Sequence, residues 1–143
     1  QSQKKQQMGR ADEHRKYLKS KAWQRKRLQA LAHHGRECAA CGAKEKIHIH
    51  HISYLNLNRK GPGKESMEDL IPLCEYHHML VHALIDQYKN KFYSKRPGYN
   101  FEKASKDAIK ALIPQKYLTA KAKKDKAIKR PKPKRKKRTK KKT

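Results

Sequence analysis

Two metal-ligand knuckles constrain this chain more than any other feature. Cys38-x-x-Cys41-Gly42 and Cys74-x-x-His77 are separated by 32 residues. A gap of two positions lets both side chains of a knuckle turn onto one tetrahedral ion, so Cys38, Cys41, Cys74 and His77 are expected to hold a structural zinc. His78 stands next to His77, but the matched gap selects His77. Three cysteines leave one over for disulfide pairing, so a metal clip is expected in place of a disulfide, in a reducing compartment or a metal-loaded chain. The chain needs such a staple. Only 35% of its residues are hydrophobic, and a small domain with so lean a core is marginal without one.

Periodicity and punctuation place the knuckles on elements. Residues 1–10 are Gln/Lys-rich and read as disordered. They hold no apolar stretch, so no leader peptide is expected there. Helical signal begins near Ala11–Lys19, and Ser20 is positioned to cap a second helix ending at His34 before Gly35. Ile47–Tyr54 reads as extended and Leu55–Glu65 as a loop. Ser66 precedes a single turn over Met67–Leu70, and Ile71–Leu73 reads as a short strand whose Pro72 implies an edge or a ladder break. A helix is expected from Tyr76 to Lys89, burying Met79, Leu80, Ala83 and Leu84. Asn100 opens another helix, stopped by Pro114, with Phe101, Ala104, Ala108, Ala111 and Leu112 on its apolar face. Residues 119–143 carry 15 Lys or Arg and one acid, and read as a disordered tail. The expected organisation is 1–10, a folded unit over 11–90, a helical extension over 91–118, and the tail. The fold class is α+β.

Six of nine histidines crowd between positions 48 and 82. His78 and His82, at i and i+4, share one helix face and can hold one cation. His50, late in the extended segment, can complete a three-imidazole site that leaves coordination positions open, as catalysis requires. A cation there can bind phosphodiester oxygens. Successive strand residues point to opposite faces, so His51 needs a bend or bulge to reach the same cleft. A histidine that is not a ligand can take a proton from water near neutral pH. His48 shares a face with His50. His14, His33 and His34 read as solvated.

The joint pattern, WQRKRLQALAHHGRECAACG, then IHIHHISY, then EDLIPLCEYHHMLVH, resembles the HNH endonucleases of the ββα-metal type over about residues 17–90. The resemblance implies a β-hairpin and a helix around one catalytic metal, beside a structural zinc. It implies His51 as general base and His50, His78 and His82 as ligands of a catalytic Mg, Mn, Ni or Zn ion. An all-histidine set favours the softer of these. Asp69 falls where the family carries Asn; an ionised Asp accepts hydrogen bonds but does not donate them. The implied activity is hydrolysis of DNA to 5′-phosphate and 3′-hydroxyl ends. A phage or mobile-element protein, cytoplasmic in a bacterial setting or nuclear in a eukaryotic one, is the expected context.

Charge points to the same partner. The formal net charge of +27 suits a polyanion, and about half of it lies outside the tail. Arg25, Arg27, Arg59, Lys60, Lys89, Lys91, Lys95 and Arg96 are the expected contacts to a duplex DNA backbone. Tyr93, Tyr99 and Phe101 are candidates for base stacking or, more commonly, for packing. No amphipathic membrane helix and no bilayer-length apolar run are visible. The alternative is a catalytically weak or inactive zinc-containing DNA-binding or packaging protein, to which Asp69 and the polycationic tail lend support.

Overall fold

The computed structural model describes residues 10–129; the expected disorder of 1–10 and of the tail beyond 129 falls on residues outside that span, save Arg10. The chain is α+β. Its elements are α1 (Arg10–Leu18), α2 (Lys21–His34), β1 (Ile47–His51), α3 (Leu55–Lys60), a 3₁₀ turn (Met67–Asp69), β2 (Leu70–Cys74), α4 (Glu75–Phe92), α5 (Phe101–Leu112) and α6 (Gln115–Lys129). Among the described residues no helix is long and apolar enough to cross a membrane.

The caps act where the sequence places them. Ser20 Oγ accepts the Trp23 N–H at 3.2 Å to open α2, and Gly35, at φ 97°, returns its N–H to Leu31 to close it. Asn100 caps α5 through Lys103 N at 3.1 Å. The two strands pair antiparallel from Ile47 opposite Cys74 to His51 opposite Leu70. The register runs without a skip, so the bulge expected near His51 is absent. His48 and His50 therefore face one way, and Ile47, Ile49 and His51 the other. Pro72 is accommodated because both strands of a two-stranded sheet are edges. Its carbonyl still accepts the Ala39 N–H at 2.9 Å, which docks the first knuckle onto β2.

Three expectations are corrected. Leu55–Lys60 is a short helix rather than loop, ended by Gly61 at φ 104°. It buries no residue, so no apolar period marks it; Ser53 Oγ accepts its Leu55 N–H, and Asn56 ties it to Asp69. The buried residues of α4 are Val81 and Ile85, while Met79 is 60% exposed. The run MLVHALI is apolar nearly all round, so tertiary packing chose the face. Residues 119–129 belong to α6, whose Lys121 and Asp125 are buried, and are not part of a disordered tail. The core joins Leu31 of α2, Leu70, Ile71 and Leu73 of β2, Val81 and Ile85 of α4, and Ala104 and Ala108 of α5.

Candidate metal centres

The knuckle turn is built by backbone geometry. Cys38 N donates to Ala43 O and Gly42 N to Cys38 O, both at 2.8 Å, with Gly42 at φ 78°. Cys74, the last residue of β2, is also the N-cap of α4, which brings His77 round one turn later. The Cys41 and Cys74 sulfurs are 3.9 Å apart, and His77 Nδ1 is 3.8 Å from Cys38 Sγ and 3.4 Å from Cys74 Sγ. Zinc bond lengths imply tetrahedral edges of about 3.8 Å between sulfurs and about 3.5 Å from sulfur to nitrogen. The four ligand atoms, all within 4.8 Å of one another, can hold a metal such as zinc. A sulfur separation of 3.9 Å is far beyond a disulfide bond. Burial pushes the Cys38 thiol's pKa up, but hydrogen bonds from backbone N–H groups of Cys74, Cys41 and Ala40 outweigh it and hold the pKa below its usual value.

His50, His78 and His82 form a second group whose ligand atoms lie within 4.8 Å of one another. His50 comes from β1 and is 1% exposed; His78 and His82 come from successive turns of α4, their Nε2 atoms 3.1 Å apart. All three imidazoles resist protonation. Burial, then the charges of His82, His78 and His51, holds His50 well below its ordinary pKa. Burial, then His82 and His48, brings His78 down to about 4, and burial lowers His82. Neutral imidazoles keep the lone pairs a divalent ion needs. His50 is oriented from outside the hairpin, because its Nε2 is 2.9 Å from Oγ of Ser105, a fully buried residue of α5. An Nε2–H donated there leaves the Nδ1 lone pair for a cation.

His51 lies apart from that group, on the other face of β1. Its ring is stacked between Trp23 and Tyr54, each with a centroid distance of 4.8 Å. Its Nε2 is 2.7 Å from Glu65 Oε2, and Glu65, 2% exposed, also accepts the Tyr17 hydroxyl at 2.8 Å. Burial alone raises the Glu65 pKa; the hydrogen bonds from His51 and Tyr17 reverse this and set it below the usual carboxylate value. His14 is half-buried rather than solvated, edge-on to Tyr54 at 5.1 Å and near His51 at 5.8 Å. Asp69 makes no hydrogen bond to His51. Its carboxylate accepts from Asn56 Nδ2 at 2.8 Å and Ser66 N at 3.1 Å, while its carbonyl accepts Ile52 N. It braces the loop as an acceptor.

His33 and His34 are also not solvated. His34 Nε2 meets Met67 O at 3.1 Å, and His33 Nε2 meets Asp125 Oδ1 at 2.8 Å. With Asp125 they form a third close group, but the Lys121 ammonium is 2.7 Å from the same carboxylate. That charge already balances Asp125, so the cluster is a polar lock between α2 and α6.

The expected DNA contacts divide. Arg25, Arg59, Lys60, Lys91 and Lys95 are exposed and Lys89 is half-buried. Arg27 donates to Ile47 O at 3.1 Å, and Arg96 stacks over Phe92 at 4.4 Å, so both have structural partners. Tyr99 is buried with its hydroxyl on Asp107, Phe101 packs against Tyr54, and Tyr93 remains exposed. Glu65, Tyr17 and Ser105 are absent from the sequence-derived candidates. No periodicity or spacing links them to a histidine; only the fold brings Glu65 to His51, Tyr17 to Glu65 and Ser105 to His50. No known family model matches the chain, and no curated protein or solved structure does.

Proposed function

We propose that this chain is a metal-dependent endonuclease of the HNH, ββα-metal type that hydrolyses DNA phosphodiester bonds. The observation that carries this reading is the convergence of three neutral imidazoles, from β1 and the helix that follows β2, onto one position. The Glu65–His51 pair, on the opposite face of β1, supports it by giving a neighbouring imidazole the carboxylate partner that a general base uses.

His50, His78 and His82 are the residues that would hold the catalytic cation, and Cys38, Cys41, Cys74 and His77 the structural zinc. A cation held there would supply Lewis acidity toward the phosphodiester oxygens. Glu65 accepts the Nε2–H of His51, which keeps the lone pair on Nδ1. That nitrogen takes a proton from water as the water oxygen bonds to phosphorus and the bond from phosphorus to the 3′ oxygen breaks, the 3′ oxygen leaving with the bonding pair and taking a proton from solvent. The Glu65 carboxylate then offsets the imidazolium charge. Trp23 and Tyr54 clamp the ring and fix the direction of Nδ1. Exposed cations bind the sugar–phosphate backbone without reading sequence.

Plasmid cleavage in Mn²⁺ or Ni²⁺ tests this. Wild type cuts; His51→Ala binds DNA with unchanged affinity and does not cut. A second reading, a DNA-binding or packaging protein without turnover, draws on the 4% exposure of His51 beneath its aromatic neighbours. It predicts DNA binding with no cleavage in any of Mg²⁺, Mn²⁺, Ni²⁺ or Zn²⁺.

A further inference from the structure

A groove of about 670 Å³ lies between α2, the first knuckle and β1. Trp23, Leu31, Ile47 and Ile49 contribute its apolar lining. Arg36, Lys44 and Lys46 line it as cations against one carboxylate, Glu75, and His48 and His78 also line it. His78 belongs to the three-imidazole centre as well, so groove and centre share a wall. The rings of His48 and His78 are 5.2 Å apart.

Those cations are weakly committed within the protein. Arg36 has no hydrogen-bond or ion-pair partner among the described residues. Lys44 reaches Glu37 only at 3.9 Å and Lys46 reaches Glu75 only at 3.7 Å, with all four side chains more than half exposed. Pairs of that kind contribute little and exchange readily for a phosphate. Lys46 is unusual in a second way. It is the only non-glycine residue at positive φ among the described residues, at 54°. A side chain there costs roughly 1 kcal/mol that glycine would avoid. Lys46 carries this backbone cost on the wall of the groove.

We propose that this groove binds the phosphodiester backbone of the DNA strand as it leaves the His50–His78–His82 centre, an inference that rests on the nuclease reading for the identity of the strand. The apolar floor accommodates deoxyribose faces, and Arg36, Lys44 and Lys46 pair with successive phosphates. The clip has a part in this. Lys44 and Lys46 lie between the ligand Cys41 and the start of β1, so the structural metal holds the cationic wall in place.

The test compares two charge-matched triple variants of the full, metal-loaded chain. One is Arg36→Ala/Lys44→Ala/Lys46→Gly; the other is Lys116→Ala/Lys123→Ala/Lys126→Ala on α6, outside the groove. Binding of a labelled DNA duplex is measured across a salt series. The groove variant is expected to lose about tenfold or more in affinity and to flatten the salt slope by about 0.9 for each phosphate it no longer neutralises. The α6 variant is expected to change the slope by less. Lys46→Gly alone is expected to weaken DNA binding with an unchanged or higher melting temperature, which a purely structural lysine would not do. An unchanged slope in the groove variant, or equal flattening in the α6 variant, overturns the proposal. Hydrolysis of bis(p-nitrophenyl) phosphate, too small to span the groove, stays at the wild-type rate in the groove variant. Loss of that hydrolysis with DNA affinity retained also overturns it. The wild-type rate on the small diester tests the nuclease reading separately.

Discussion

Glu65 takes hydrogen bonds from both Tyr17 and His51 while almost wholly buried, so its charge cannot be replaced by water. Glu65→Gln keeps the shape but offers one acceptor in place of two and turns an N–H toward His51. The imidazole then places its proton on Nδ1, the nitrogen that the proposed mechanism needs free as base. Cleavage is expected to fall by at least about 10²-fold with helicity by circular dichroism retained. Ser105 acts on the other histidine. Ser105→Ala removes the partner of His50 Nε2 and is expected to weaken metal binding at the three-imidazole centre by about 10–100-fold, with the cysteine clip unaffected. Competitive Zn²⁺ titration checks this. Ser105→Thr, which keeps a hydroxyl, is expected to restore part of the affinity.

Elements are joined by polar locks as well as by the core. The end of α2 docks on the 3₁₀ turn through His34, whose pKa falls from 6.5 to about 4, first by burial and then by the charge of Lys121. Between those values the unfolded chain binds a proton that the folded chain refuses. This contribution to stability is whole above pH 6.5 and is lost as pH falls toward 4. The loss between pH 7 and pH 5 is on the order of 2 kcal/mol. Urea unfolding at the two pH values checks it. His34→Gln, with an amide able to reach the Met67 carbonyl, is expected to flatten the dependence. A metal held by Cys38, Cys41, Cys74 and His77 would join the knuckle, β2 and α4 in the same manner. Chelation, or Cys41→Ser, is expected to lower the melting temperature by at least about 10 °C, because binding free energy at such a site is folding free energy.

At the scale of the whole molecule the excess positive charge is what the proposed DNA binding would draw on. Residues 130–143 hold 10 Lys or Arg and no acid. Truncation after Lys129 is expected to weaken DNA binding for all sequences alike and to flatten its salt slope, leaving the small-diester rate unchanged. A salt series on the two chains checks this. Metal analysis of the same preparations is expected to give two ions per chain, one for each centre, and one after Cys41→Ser.

Local chemistry made much of this chain legible before folding. The Cys-x-x-Cys and Cys-x-x-His gaps, the i, i+4 spacing of His78 and His82, and the caps at Ser20 and Asn100 all depend on residues within a few positions of one another. Short-range geometry is the same wherever the segment ends up, so these readings transferred directly to the structure. Long-range pairing was not legible. Glu65 meets His51 across 14 positions, Ser105 meets His50 across 55, and Asp125 meets His33 across 92. The buried face of α4 was equally hidden, because an apolar run with no polar side carries no period to read. The partners of His50 and His51, the helical course of residues 119–129, and the groove wall at Lys46 exist only once the core brings distant elements together. Burial then turns each polar group that water would have solvated into one that must find a specific partner.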